Sequence, residues 1–169
     1  TERIIIAGAG GQGIMLLGKI LATAVMNEGK FVTWLPSYGA EVRGGTSHCM
    51  VIISDVEIGS PYIEKADTLI IMNAPSLEKF KHRITNKGLL IINSSLVTRY
   101  TNKKVHTLQY PFTDIAIKLG NIRVANMVTL GCFIAQKNIA RLKTVSRIIA
   151  GFAPEEKKHL IEINKQALE

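Results

Sequence analysis

Two stretches of this 169-residue chain carry residue types whose spacing could do chemistry. The first is Gly8-Ala9-Gly10-Gly11-Gln12-Gly13, set between the apolar run Arg3-Ile4-Ile5-Ile6-Ala7 and a helical pattern that opens at Ile14. Strand, glycine turn and helix in that order give a G-x-G-x-x-G spacing a physical meaning. Gly8 supplies the backbone freedom of a sharp turn, Gly10 lets the main chain approach a ligand, and Gly13 lets the helix pack on the strand. The N–H groups left unpaired at the helix start then form an anion site. The same spacing also closes βα units that bind nothing, so phosphate binding and plain turn geometry both stand at this point.

The second stretch is Pro36-Ser37-Tyr38-Gly39-Ala40-Glu41-Val42-Arg43-Gly44-Gly45-Thr46. Arg43 offers a planar fork of donors, and Gly44 and Gly45 can turn their N–H groups into a concave nest. Glu41 orients Arg43 or simply pairs with it, the alternative being a loop held by its own ion pair. Ser37 and Tyr38 add hydroxyls. The candidate binding set is Gly8, Gly10, Gly11, Gln12, Gly13, Ser37, Tyr38, Glu41, Arg43, Gly44, Gly45 and Thr46.

A dinucleotide site also needs an acidic residue at the end of the second strand, about 20 residues after the glycines, to hold the ribose. That strand reads Phe31-Val32-Thr33-Trp34-Leu35 and is followed by Pro36 and Ser37, with no acid before Glu41. NAD binding falls behind on that ground. No residue is assigned to catalysis, because the chain has no nucleophile elbow, no Ser–His–Asp set and no close carboxylate pair. No metal ligands are assigned either. His48, His82, His106 and His159 show no ligand spacing, and His48 and Cys49, neighbours on a strand, point to opposite faces. Cys49 and Cys132 are the only cysteines, too few for an iron–sulfur cluster, which needs four. They read as buried thiols in a reducing compartment.

Twenty-one basic against 13 acidic side chains give a net charge of +8, which suits nucleic acid, an acidic protein or a phosphorylated ligand. Nucleic acid is set aside because the basic residues are scattered, without aromatic platforms between them. A solvated basic surface is the plain alternative. The long apolar segments, residues 14–26 and 124–135, are shorter than a membrane span, and no leader opens the chain. A cytoplasmic protein without membrane contact is expected.

These residues must be positioned by the elements around them. Continuous apolar runs at residues 47–54, 67–73, 89–93 and 104–111 alternate with helical patterns at 77–84, 113–119, 123–137, 144–152 and 154–168. The pattern predicts one three-layer α/β/α Rossmann-like domain over residues 1–169, with a mainly parallel or mixed sheet. Asn73 and Asn93 end two of its strands, at the ligand-binding edge, and the turn-forming role is favoured for both. The helices at 14–27 and 123–137 are apolar on most sides, so each must be covered on more than one side, which points to a subunit of something larger.

Ala7 to Ile14, Ser37 to Thr46, Ile58-Gly59-Ser60-Pro61, Met72-Asn73 and Asn126-Met127-Val128-Thr129-Leu130-Gly131 together resemble the gamma subunit of 2-oxoacid:ferredoxin oxidoreductases. The Tyr-Gly-x-Glu-x-Arg-Gly-Gly motif looks most like the 2-oxoglutarate branch, with the pyruvate, ketoisovalerate and indolepyruvate branches as alternatives. A free-standing nucleotide-binding module is the reading from another class. The resemblance implies a complex with alpha, beta and ferredoxin-like (delta) subunits that decarboxylates a 2-oxoacid on thiamine diphosphate. Electrons pass through iron–sulfur clusters to ferredoxin, and the acyl group goes to coenzyme A. It places thiamine diphosphate and the clusters in partner subunits and the gamma-type domain on the coenzyme A side. The isolated chain is then expected to be inactive. Gly10–Gly13 and Arg43–Thr46 would face the nucleotide phosphates or the subunit junction.

Overall fold

The computed structural model describes residues 1–37, 46–152 and 160–169. Six strands form its sheet: β1 (Glu2–Ala9), β2 (Phe31–Ser37), β3 (Thr46–Ser54), β4 (Ala66–Ile71), β5 (Ile84–Asn93) and β6 (His106–Tyr110). The helices are α1 (Ile14–Asn27), α2 (Ala74–Phe80), α3 (Phe112–Lys118), α4 (Ala125–Lys137), α5 (Leu142–Phe152) and α6 (Ile161–Leu168). The β-branched runs become strands because both faces of the sheet are covered; Ile4, Ile5, Ile6 and Ala7 are fully buried, as a central strand requires.

The order across the sheet is β2-β3-β1-β4-β5-β6. β1, β4, β5 and β6 run parallel, while β3 is antiparallel to both of its neighbours, β1 and β2. The sheet is thus mixed, with β3 the one reversed strand. β3 also separates β2 from β1. In a dinucleotide-binding unit the strand after the first helix lies beside the first strand; here the end of β2 is two strand spacings away from the glycine turn, which agrees with the missing ribose acid.

Alternation sorts the side chains onto two unequal layers. Ile4, Ile6, Cys49, Val51, Ile70 and Ile91 face α1, α3, α4, α5 and α6. Ile5, Met50, Ile52, Leu69, Ile71 and Leu90 face the short α2, with Ile63 and Val97 from connecting segments beside it. His48 and Cys49 fall on opposite faces, as alternation predicts.

Helices α1 and α4 are covered within the chain. Helix α1 packs on β2, β3, α4 and α5, and α4 packs on α1, α3 and α6. Two glycines allow the close approach. A Cβ on Gly18 of α1 would lie 2.5 Å from Cys49 Sγ and 3.0 Å from Trp34 Nε1, and one on Gly131 of α4 would overlap the Leu168 carbonyl oxygen. Layers of the same chain cover most of both helices, while Leu16 and Met26 of α1 stay exposed.

Of the boundaries that differ from the sequence reading, two have a clear local cause. Asn86-Lys87-Gly88, predicted as a turn before its strand, lies inside β5, where the pairing with β4 shifts register between Ala66 and Thr68. Lys87 takes φ +66° there; an irregularity of this kind bends a strand without ending it. Helix α2 starts three residues earlier than expected, at Ala74, because the Asn73 side chain caps it by accepting from Ser76 N at 3.1 Å. Of the predicted final helix, residues 161–168 are helical, and residues 154–159 lie outside the described residues.

Candidate functional site

β1, β2, β4, β5 and β6 all end, and β3 begins, at one edge of the sheet, and the glycine turn rises from it. Within that turn the glycines divide the work differently from the sequence reading. The positive φ angles belong to Gly11 (+88°) and Gly13 (+73°), a region that costs other residues energy. Gly8 is instead a packing glycine: an added Cβ would lie 2.6 Å from Gln12 Oε1, 2.8 Å from Ile14 Cδ1 and 2.9 Å from Met72 Cβ. Gly10 and Gly11 are exposed, and a Cβ on either would meet nothing within 4 Å. A ligand has room to reach that stretch of backbone.

Gln12 points inward. Its Oε1 accepts from Ala9 N at 2.7 Å and its Nε2 donates to the Met72 carbonyl at 3.3 Å. The side chain therefore staples the end of β1 to the end of β4 and holds the turn's shape. Asn93, fully buried, donates to the same Met72 carbonyl at 3.4 Å and to Thr113 Oγ1 at 2.8 Å. It also accepts from Ser95 N and Thr113 N, both at 3.3 Å. Asn73 and Asn93 are thus a cap and a turn former.

Above the turn, α1 begins without a side-chain cap on Gly13 and without an acidic residue in its first turn. The first intrahelical bond is Leu17 N to Gly13 O, at 2.9 Å. The positive end of a 14-residue helix is left uncompensated there, which favours an anion.

Ser37 and Thr46, the described ends of the second stretch, come to the same edge. Thr46 pairs with Ala9 and Ser47 with Gly8, while Ser37 pairs with His48. The roots of both predicted loops therefore adjoin, one strand apart. Tyr38, Glu41, Arg43, Gly44 and Gly45 lie outside the described residues. Sequence reasoning assigned no role to two residues at this edge. Lys79 of α2 donates from Nζ to Thr46 Oγ1 at 2.9 Å, and His48 stacks on Phe80 with ring centroids 4.7 Å apart. His48 Nδ1 is buried with no hydrogen-bond partner among the described residues. Burial pushes the His48 pKa below its usual 6.5, and the charges of Lys79 and Arg83 push it further down. The signal that could have found them is their shared face, because β3 and α2 enclose the same layer; reading it required knowing which strand lies under α2.

No three His, Cys, Asp or Glu side chains among the described residues stand together as a metal would need. Burial raises the Cys49 thiol to about 12 and raises Cys132 as well. A groove of about 500 Å³ between β6, α3, α4 and α6 is lined mainly by apolar side chains such as Leu108, Phe112 and Val128. No lysine or arginine among the described residues lines this groove. No helix of the described residues is long and apolar enough to cross a membrane.

Fold and edge together define a mixed-sheet α/β domain in which a glycine turn opens onto an uncapped helix start. The profile of the pyruvate ferredoxin/flavodoxin oxidoreductase family matches residues 3–169, and the chain belongs to that family. It is 36% identical over 167 residues to the ketoisovalerate oxidoreductase subunit VorA of Methanothermobacter thermautotrophicus, covering 99% of this chain but 35% of that protein. This chain thus spans about a third of that relative's length. It is 35% identical over 172 residues to the 2-oxoglutarate synthase subunit KorC of Methanocaldococcus jannaschii, covering 97% of this chain and 91% of that one. Among solved structures, the gamma subunit of a keto/oxoacid ferredoxin oxidoreductase from Geobacter sulfurreducens superposes with a TM-score of 0.84 at 29% identity, over 99% of this chain and 94% of that chain. A 2-oxoglutarate:ferredoxin oxidoreductase from Magnetococcus marinus, with 2-oxoglutarate, coenzyme A and succinyl-CoA bound, shares the fold with a TM-score of 0.89 at 21% identity. That match covers 99% of this chain and 30% of that chain.

Proposed function

We propose that residues 1–169 form the gamma-type domain of a 2-oxoacid:ferredoxin oxidoreductase and supply it with binding surface and no proton-transfer group. The observation that carries this reading is the pairing of Ala9 with Thr46, which brings the glycine turn and the root of the Arg-Gly-Gly loop to one sheet edge beside the uncapped start of α1. Gly8, Gly10, Gly11, Gln12, Gly13, Ser37, Tyr38, Glu41, Arg43, Gly44, Gly45 and Thr46 form the binding set, with Gln12 and Gly8 shaping the turn from within. The ligand is coenzyme A, whose phosphates suit exposed N–H groups at a helix start. A fold neighbour is described with coenzyme A bound.

Alpha, beta and ferredoxin-like delta subunits complete the assembly in the cytoplasm, hold the thiamine diphosphate and the iron–sulfur clusters, and pass electrons to ferredoxin. The substrate is 2-oxoglutarate, supported by the KorC relative, which matches over nearly its whole length. A branched-chain 2-oxoacid is the second reading, favoured by the slightly higher identity to VorA. The test is coenzyme A-dependent reduction of a ferredoxin-type acceptor by the assembly purified on this chain from its own cells, with 2-oxoglutarate, ketoisovalerate and pyruvate compared. The reading expects activity in the assembly and none in the isolated chain. Turnover by the isolated chain, or none by the assembly with any of the three acids, contradicts it.

A further inference from the structure

We propose that Lys79, braced on Thr46, is a direct contact for a phosphate group of the ligand bound at the glycine turn; this rests on the anion-binding reading of that edge. Lys79 reaches Thr46 Oγ1 at 2.9 Å, and Thr46 stands opposite Ala9, the residue that leads into the turn. The ammonium group has three donors, and one is used by the Thr46 hydroxyl. No carboxylate among the described residues forms an ion pair with it. The acid next to it in sequence, Glu78, is taken by Lys81 at 2.6 Å.

The surroundings hold the amine in place without neutralising it. Its charge sits 5.7 Å from the centre of the Phe80 ring, a face that attracts cations and steadies the stem. Arg83, a second cation against the Phe80 ring, is already committed. It donates to the Ile63 and Glu64 carbonyls and stacks over Tyr62 and Phe80. Lys79 thus keeps donors that no described residue uses, and a lysine serves phosphate as a compact point charge. The glycine turn would offer backbone N–H groups to one part of the ligand while Lys79 takes a phosphate from the α2 side.

The experiment measures coenzyme A affinity by calorimetry on the assembly purified with the full chain. Wild type is compared with Lys79→Met, which keeps the stem, Lys79→Arg, which keeps the charge, and Arg43→Ala as the control for the reading beneath. A charged phosphate contact should make Lys79→Met bind about tenfold more weakly. It should also flatten the salt dependence of binding, and Lys79→Arg should restore most of the loss. If Arg43→Ala weakens binding and Lys79→Met does not, the role of Lys79 is overturned and the anion-binding edge stands. A loss in Lys79→Met alone supports Lys79 and removes Arg43 from the site. If neither substitution matters, or the wild-type assembly does not bind coenzyme A, both proposals are overturned.

Discussion

Asn126 of α4 and Gly13 at the start of α1 touch across 113 positions of sequence. The Asn126 amide donates to the Gly13 carbonyl at 3.3 Å, and a Cβ on Gly13 would overlap the same amide nitrogen. Gly13 also sits at φ +73°. A single position thus answers to both backbone angle and a tertiary neighbour, and Asn126, only 3% exposed, holds the turn from outside its own segment.

Gly13→Ala should therefore destabilise the chain by about 2–3 kcal/mol, roughly 1–2 for a non-glycine residue in the left-handed region and the rest for displacing Asn126. The double variant Gly13→Ala, Asn126→Ala should regain the steric part and leave the backbone part. Urea unfolding of the four proteins of that cycle measures the coupling. Strict additivity would mean that the overlap does not matter.

Gln12→Ala should cost about 1–2 kcal/mol, because Ala9 N and the Met72 carbonyl each lose a partner at a half-buried turn. Gln12→Glu is the sharper test. It keeps the acceptor for Ala9 N but sets a carboxylate oxygen against the Met72 carbonyl, and it brings negative charge to an edge built for anions. It should weaken coenzyme A binding by more than Gln12→Ala does, as read by calorimetry on the assembly. Equal effects would mean that the staple works only through packing.

The strands, their sequence order and the glycine turn were legible because continuous β-branched runs and glycine spacing are local signals. Strand direction was not. Residues 47–54 read as a buried strand whichever way they run, so the reversal of β3 and its insertion between β1 and β2 left no mark on the pattern. Hydrophobicity on every side of α1 and α4 was read as a need for cover, but sequence alone does not say whose surface provides it; α5 and α6 supply much of it and leave Leu16 and Met26 exposed. The roles of Gly8 and Gly13 were misjudged for a similar reason, Gly8 serving a contact and Gly13 an angle as well as a contact. Whether a glycine serves an angle or a contact depends on Met72 and Asn126, far away in the chain. Lys79 looked like a surface lysine until α2 was placed over the edge that Thr46 occupies.

His48 gives the chain a pH signature on the acid side. Its pKa is lowered in the folded state by burial and by Lys79 and Arg83, so the unfolded chain takes up a proton first as pH falls. The stabilising contribution of neutral His48 is complete above the unfolded value of about 6.5. It is lost progressively as pH drops through the folded value. Its ring signals in NMR should titrate below 6.5, and His48→Phe, which keeps the contact with Phe80, should flatten the fall of stability below pH 6.5. A titration at or above 6.5 would contradict the assignment.

Cys49 should be silent to thiol reagents in the native state at pH 8, because burial holds its thiol near 12 and the thiolate is the reactive form. Cys132, only partly buried, should react first. Gly18→Ala should expose Cys49 by forcing α1 away from the Cys49 sulfur and the Trp34 indole. Mass spectrometry after timed labelling gives the order directly, and labelling of Cys49 ahead of Cys132 in the wild type would overturn the close packing of α1 on β3.

The central claim is that this chain lends an anion-binding sheet edge to a larger oxidoreductase. Native mass spectrometry of the tagged chain, drawn from its own cells without added cross-linker, tests it most directly. The account predicts a discrete assembly in which this chain is accompanied by a subunit carrying thiamine diphosphate. That assembly should gain the mass of coenzyme A when the ligand is added, and Arg43→Ala should lose the gain. Free single chains, or a complex that lacks any thiamine diphosphate subunit, would contradict it.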